Sequence, residues 1–173
     1  AAYYGTPAKW AYWHAGSTGG RQGLKLAQAY PEDFNGIIAN RPAINWSRFT
    51  ASETYPQLVM QRDLGGILLT TAQLSGVSVA ANNACDLVNG QHLGYVLDPL
   101  DCRYDPTTDA SVLCVSDGGT NTTAACVTKV QANTINKMWY GPTSDGSVPA
   151  PSADIGLANT LTGKQRWYGL TRG

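Results

Sequence analysis

The first residues alternate short apolar runs with small-residue turns. Lys9-Trp10-Ala11-Tyr12-Trp13-His14 is aromatic and brief, the pattern of a buried strand. Ser17-Thr18-Gly19-Gly20 follows as a turn, and Gly23-Leu24-Lys25-Leu26-Ala27-Gln28-Ala29-Tyr30 consists of helix formers until Pro31 closes the run. Phe34-Asn35-Gly36-Ile37-Ile38-Ala39 predicts a second short buried strand. A strand, a sharp turn, a helix and a strand make a βαβ unit, which implies a parallel sheet. Upstream, Tyr4-Gly5 before Pro7 reads as the end of a helix with glycine as its stop.

Beyond Pro42 the texture changes. Trp46 to Leu64 carries Phe49, Tyr55, Leu58 and Val59, and Thr70 to Ala84 opens on a threonine cap and runs through Leu74, Val77, Val79 and Ala80; both predict helices. Cys85 to Cys126 holds all four cysteines among clusters of Asp, Gly, Pro and Thr, which predicts a stapled loop region with little regular structure. Thr128 caps a further helix through Val130, Ile135, Met138 and Trp139, ended by Gly141-Pro142.

Composition narrows the class. With 173 residues, the chain is one domain of ordinary size or a piece of a larger one. Lys plus Arg and Asp plus Glu number 12 each, so no net positive field exists to hold a nucleic acid or an anionic membrane. Charged residues make up 14% against about 25% in an average soluble domain. A hydrophobic share of 43%, with five Trp and nine Tyr, excludes disorder. Nineteen Gly and nine Pro predict much loop and turn. No apolar run approaches the roughly 18 residues of a membrane span. The start, Ala1-Ala2-Tyr3, lacks Met and a basic-then-apolar leader, as a processed chain or an internal fragment would.

The sharpest chemical motif is His14-Ala15-Gly16-Ser17-Thr18-Gly19-Gly20, between a predicted strand and a predicted helix. It nearly matches the nucleophile elbow G-x-S-x-G, with Ala15 in place of the first glycine. Small residues flank such a serine because bulk would collide with the adjacent strand and helix, and the strained turn holds Oγ out at the sheet edge. Thr18 N–H, at the helix start, would face the oxyanion formed when Ser17 attacks a carbonyl. Ser-Thr-Gly-Gly also suits a plain helix cap or a phosphate loop, although G-x-x-x-x-G-K-[ST] and G-x-G-x-x-G are absent.

The run Tyr12 to Leu24, with Leu26-Ala27-Gln28 and Tyr30-Pro31-Glu32-Asp33-Phe34-Asn35-Gly36-Ile37, resembles the tannase and feruloyl esterase family of α/β-hydrolases. Pro42-Ala43-Ile44-Asn45-Trp46, Cys85-Asp86, Asp98-Pro99 with Cys102, and Trp139-Tyr140-Gly141 extend the resemblance in order along nearly the whole chain. It implies an α/β fold: residues 1–45 as part of a hydrolase core (strand, elbow, helix, strand), and residues 46–173 as a loop-rich, disulfide-stapled lid insertion. It also implies a serine ester hydrolase with a Ser-His-Asp triad, in which Ser17 maps to the nucleophile and the Asp and His lie beyond this chain. His14, on the strand into the elbow, and His92, in the lid loop, do not fit the base. Many members carry a Cys before the nucleophile; here Gly16 stands there.

The four cysteines allow three pairings. Cys85 with Cys102 and Cys114 with Cys126 close the shortest loops, and the crossed alternatives would thread the Asp-Pro turns at Asp98 and Asp105. Disulfides imply a secreted or periplasmic protein. By the same resemblance Asp86 to Tyr95 matches a lid calcium loop, with side-chain oxygens from Asp86 and Asn89 and main-chain carbonyls from Gln91 and Tyr95. The family's next carboxylate falls on Leu93, so a single carboxylate remains and a metal-free turn stapled by Cys85 is the expectation. The chemistry requires no cofactor.

The resulting expectation is a carboxylic ester hydrolase acting through an acyl-enzyme on small-molecule or polysaccharide-linked phenolic esters, gallates or hydroxycinnamates such as ferulate. The 173-residue chain alone is expected to be inactive. The alternative is a non-catalytic phenolic- or carbohydrate-binding module with a vestigial elbow.

Overall fold

The computed structural model describes residues 3–158 and 160–172. They form two compact units, Ala1–Phe49 and Thr50–Gly173.

The first unit is a βαβ element: strand β1 (Tyr12–Gly16), helix α1 (Ser17–Ala29) and strand β2 (Gly36–Pro42). The strands pair in parallel with Tyr12 opposite Gly36 and Gly16 opposite Asn40. Alternation sends Trp13 and Ala15 toward α1 and leaves Tyr12, His14 and Ile38 exposed on the other face. Trp13 Nε1 donates to the Gly19 carbonyl at 3.0 Å, and its ring meets Phe34 edge-on at 6.0 Å. β1 starts later than Lys9, and α1 starts at Ser17 rather than Gly23. The turn is made at a single left-handed residue, so the helix begins at once and absorbs Gly19 and Gly20 despite their poor propensity. β2 runs beyond Ala39 because Gly16 still pairs with Asn40 and Ser17 bridges Pro42. Tyr4 and Gly5 form a turn, with Gly5 at φ 73°, and no helix precedes β1 among the described residues.

Helix α2 (Trp46–Asp63) begins where the core-to-lid boundary was expected, and the compact units part after its fourth residue. Its first turn belongs with the first unit because Trp46 stacks on Phe49 at 5.7 Å and receives the Arg21 guanidinium at 4.3 Å. Pro56 lies inside this helix and cannot donate to the carbonyl one turn back, yet burial of Val59 and Met60 keeps the helix continuous.

The second unit adds α3 (Thr71–Cys85) and α4 (Lys129–Tyr140). Each opens on a reciprocal capping box, Thr70 with Gln73 and Thr128 with Gln131. The unit's core contains Val77 and Ala81 of α3, Val127, and Ala132 and Ile135 of α4, each 2% exposed or less. Between the helices, strands β3 (Leu87–Val88) and β4 (Gln91–His92) form a two-residue hairpin on Asn89-Gly90. The remaining loops are held by Asp or Asn side chains that accept from a backbone N–H two residues on, as at Asp105, Asp109 and Asn121. Cys85 is joined to Cys102 and Cys114 to Cys126, closing separations of 17 and 12 residues.

No helix is long and apolar enough to cross a membrane among the described residues.

Candidate active site

Ser17 sits at the junction of β1 and α1 with φ 53°, a left-handed conformation that a serine adopts at an energetic cost. Its neighbours explain why the conformation persists. The Ser17 carbonyl accepts from Ala43 N–H at 3.0 Å, so the residue is tied to the end of β2 while its side chain faces solvent. A Cβ on Gly20 would lie 2.8 Å from the Asn40 carbonyl oxygen, and one on Gly19 would lie 2.6 Å from the Ala15 methyl. A Cβ on Gly23 would meet the Trp13 ring at 2.8 Å. Three glycines of α1 thus let the helix lie directly on the two strands.

Ala15, where the motif has glycine, fits only because Gly19 leaves space for its methyl. Gly16, the residue before Ser17, has an extended φ of −107° and no side-chain cap on the helix. The N–H groups of the first turn of α1, that of Thr18 among them, point out of the helix start without intrahelical acceptors. With Ser17 exposed beside them, the junction brings a serine hydroxyl and the N–H groups of a helix start to one sheet edge. Among the described residues no imidazole or carboxylate hydrogen-bonds to Ser17 Oγ. His14 is exposed on β1, opposite Ile38.

The Asp86 loop is separate, within the second unit. Asp86 caps the end of α3, is 1% exposed, and has both carboxylate oxygens engaged: Oδ1 with His92 Nδ1 at 2.5 Å and Oδ2 with Gly94 N–H at 2.8 Å. These two hydrogen bonds, that from His92 foremost, hold its carboxyl below the usual carboxylate range. Asn89 has φ 50° and Gly90 φ 81°, the geometry of a type I′ hairpin turn. Gln91 and Tyr95 are exposed. This donor set does not fit calcium. Its one carboxylate is occupied by protein donors, and no group of three His, Cys, Asp or Glu suited to a metal occurs among the described residues. The His92 contact had no sequence signal, whereas Asn-Gly between short strands is a readable hairpin signature.

The aromatic residues divide by role. Trp139 and Tyr140 are core residues, 6% and 4% exposed, and Tyr140 donates its hydroxyl to Asp154 at 2.8 Å. Burial and that carboxylate push the Tyr140 phenol up to about 12. Trp46 is 45% exposed and belongs to the first unit with Ser17.

The family model described as tannase and feruloyl esterase matches residues 1–164. A probable feruloyl esterase of Arthroderma benhamiae is 34% identical over 167 residues, covering 92% of this chain and 30% of that protein. A probable feruloyl esterase B-1 of Aspergillus fumigatus is 33% identical over 137 residues, 79% of this chain and 25% of that protein. The crystal structure of feruloyl esterase B from Aspergillus oryzae superposes with a TM-score of 0.62 at 24% identity, covering 94% of this chain and 33% of that one. The chain therefore spans about a third or less of the length of the relatives it matches. On the extent of that match, this chain belongs to the tannase and feruloyl esterase family.

Proposed function

We propose that this chain is the nucleophile-bearing and lid portion of a secreted or periplasmic carboxylic ester hydrolase that cleaves phenolic esters, gallates or hydroxycinnamates, free or attached to polysaccharide. The observation that carries the reading is Ser17 at φ 53°, exposed at a strand–helix junction whose flanking positions admit only small residues. In this reading Ser17 Oγ attacks the acyl carbonyl carbon. A histidine from elsewhere in the longer protein takes the hydroxyl proton and passes it to the departing alcohol. Thr18 N–H, aided by the start of α1, donates to the oxyanion of the tetrahedral intermediate. Water then attacks the acyl-enzyme and releases the phenolic acid. In this reading residues 46–173 act as the lid. The two disulfides support an oxidising compartment.

The test compares the 173-residue chain, and a longer protein that supplies the Asp and His, with their Ser17→Ala variants on methyl ferulate and methyl gallate. The isolated chain is expected to match its variant. The longer protein is expected to lose roughly 10⁴-fold or more in kcat, because a serine without its base, or a base without its serine, leaves only binding and oxyanion stabilisation. Turnover that survives Ser17→Ala in the longer protein refutes the assignment.

A further inference from the structure

The chain contains two Asn-x-Ser/Thr triplets, Asn45-Trp46-Ser47 and Asn121-Thr122-Thr123. Such a triplet accepts an N-linked glycan in a secreted protein where the asparagine amide is reachable. The two sites differ in geometry. At Asn121 the side-chain Oδ1 accepts from Thr123 N–H at 2.9 Å and from Thr123 Oγ1 at 2.7 Å. Both donors polarise the amide toward its oxygen, Nδ2 has no hydrogen-bond acceptor among the described residues, and Asn121 itself is half-buried. Thr122 and Thr123 are exposed, and the loop is anchored by the Asn121 N–H to Leu113 carbonyl bond and the neighbouring Cys114–Cys126 disulfide. Asn121 also lines an open groove of about 440 Å³ whose other wall is made by Gly76, Val79, Ala80, Asn83 and Ala84 of α3, so a first sugar has room beside it.

Asn45 is exposed, as are Trp46 and Ser47, but its triplet lacks the side-chain turn seen at Asn121. Its backbone is left-handed at φ 51°, and its carbonyl accepts from Phe49 N–H to start α2. The middle residue of its triplet, Trp46, is held between Arg21 and Phe49, and Ser47 lies in the helix.

We propose that Asn121 is an N-glycosylation site and that Asn45 is not. In the step, Nδ2 attacks the anomeric carbon of an oligosaccharide carried on a lipid diphosphate. The N–C1 bond forms, the C1–O bond to phosphate breaks, the lipid diphosphate departs with the electron pair, and the amide gives up one proton. The proposal rests on export of the chain and is independent of its ester chemistry.

The experiment directs the chain into the secretory pathway of a yeast host and reads total cell and medium fractions by mass. Peptide-N-glycosidase F in heavy-oxygen water then marks the glycosylated asparagine. One glycan is expected, with the heavy label at Asn121. Asn121→Asp keeps an oxygen to accept both Thr123 bonds, so it preserves the turn while removing the acceptor nitrogen; it is expected to abolish the glycan. Thr123→Ser is expected to retain it, and Asn45→Gln to leave it unchanged. An unglycosylated chain, a glycan that survives Asn121→Asp, or a heavy label found at Asn45 overturns the proposal.

Discussion

Alanine at Gly20 would place a methyl group 2.8 Å from the Asn40 carbonyl oxygen and 3.0 Å from Pro42 Cα. Both are backbone atoms of β2, fixed by the ladder to β1 and by the Ala43 N–H to Ser17 carbonyl bond, so neither can swing away as a long side chain would. Forcing extra carbon into such a contact costs about 1–3 kcal/mol. The substitution also gains helix propensity, about 1 kcal/mol in a helix interior. The net expectation is a loss of up to about 2 kcal/mol in the first unit, with the strain delivered at the turn that holds Ser17. Gly76 is the matched control: it lies inside α3 with nothing within 4 Å of its absent Cβ. Gly76→Ala should therefore gain about 0.5–1 kcal/mol. The assay is backbone hydrogen exchange read on the β1 and β2 amides, where Gly20→Ala should speed exchange by roughly tenfold and Gly76→Ala should not. A Gly20→Ala chain whose ladder exchanges no faster than the parent would refute the close packing of α1 on β2 from which the exposed Ser17 is argued.

The Cys114–Cys126 bridge closes a separation of 12 residues, so replacing both cysteines by alanine should cost about 3 kcal/mol in the chain-entropy account, read as a lower urea midpoint. Asp63 receives Arg62 Nε at 2.6 Å and Lys137 Nζ at 2.7 Å, and these partners, Arg62 foremost, lower its pKa. A lowered folded pKa means that its contribution is complete above the unfolded value near 4 and is lost as pH falls through the folded one. Lys137→Met should accordingly flatten part of the loss of stability below about pH 4 in denaturation series. Calorimetric titration should show no micromolar calcium binding by the unmodified chain, since the ligand count at Asp86 places the loop at about 10⁻³ M or weaker. Leu93→Asp should strengthen the binding, and micromolar binding by the parent would overturn the reading of that loop.

Much of the local structure is written in local sequence. Thr70 and Thr128, each followed three residues on by glutamine, mark the starts of α3 and α4 because a capping box needs only those neighbours. The βαβ order follows from periodicity, and the sequential disulfides follow from short loops. Asn89-Gly90 carried a hairpin signature of the same local kind, yet the Asp, Gly, Pro and Thr clusters around it read as a loop with little regular structure. The Ser17 motif was legible as a pattern, but its geometry was not. Propensity places the helix start after Gly19-Gly20, whereas contact with Asn40 and Pro42, some twenty residues away, requires those glycines inside it. The continuity of α2 through Pro56 and the capture of Asp86 by His92 and Gly94 were likewise settled in three dimensions. Caps, turns and short loops are energies between near neighbours, so the sequence states them directly. Close backbone approach and the partner of a buried charge depend on residues that only the folded chain brings together.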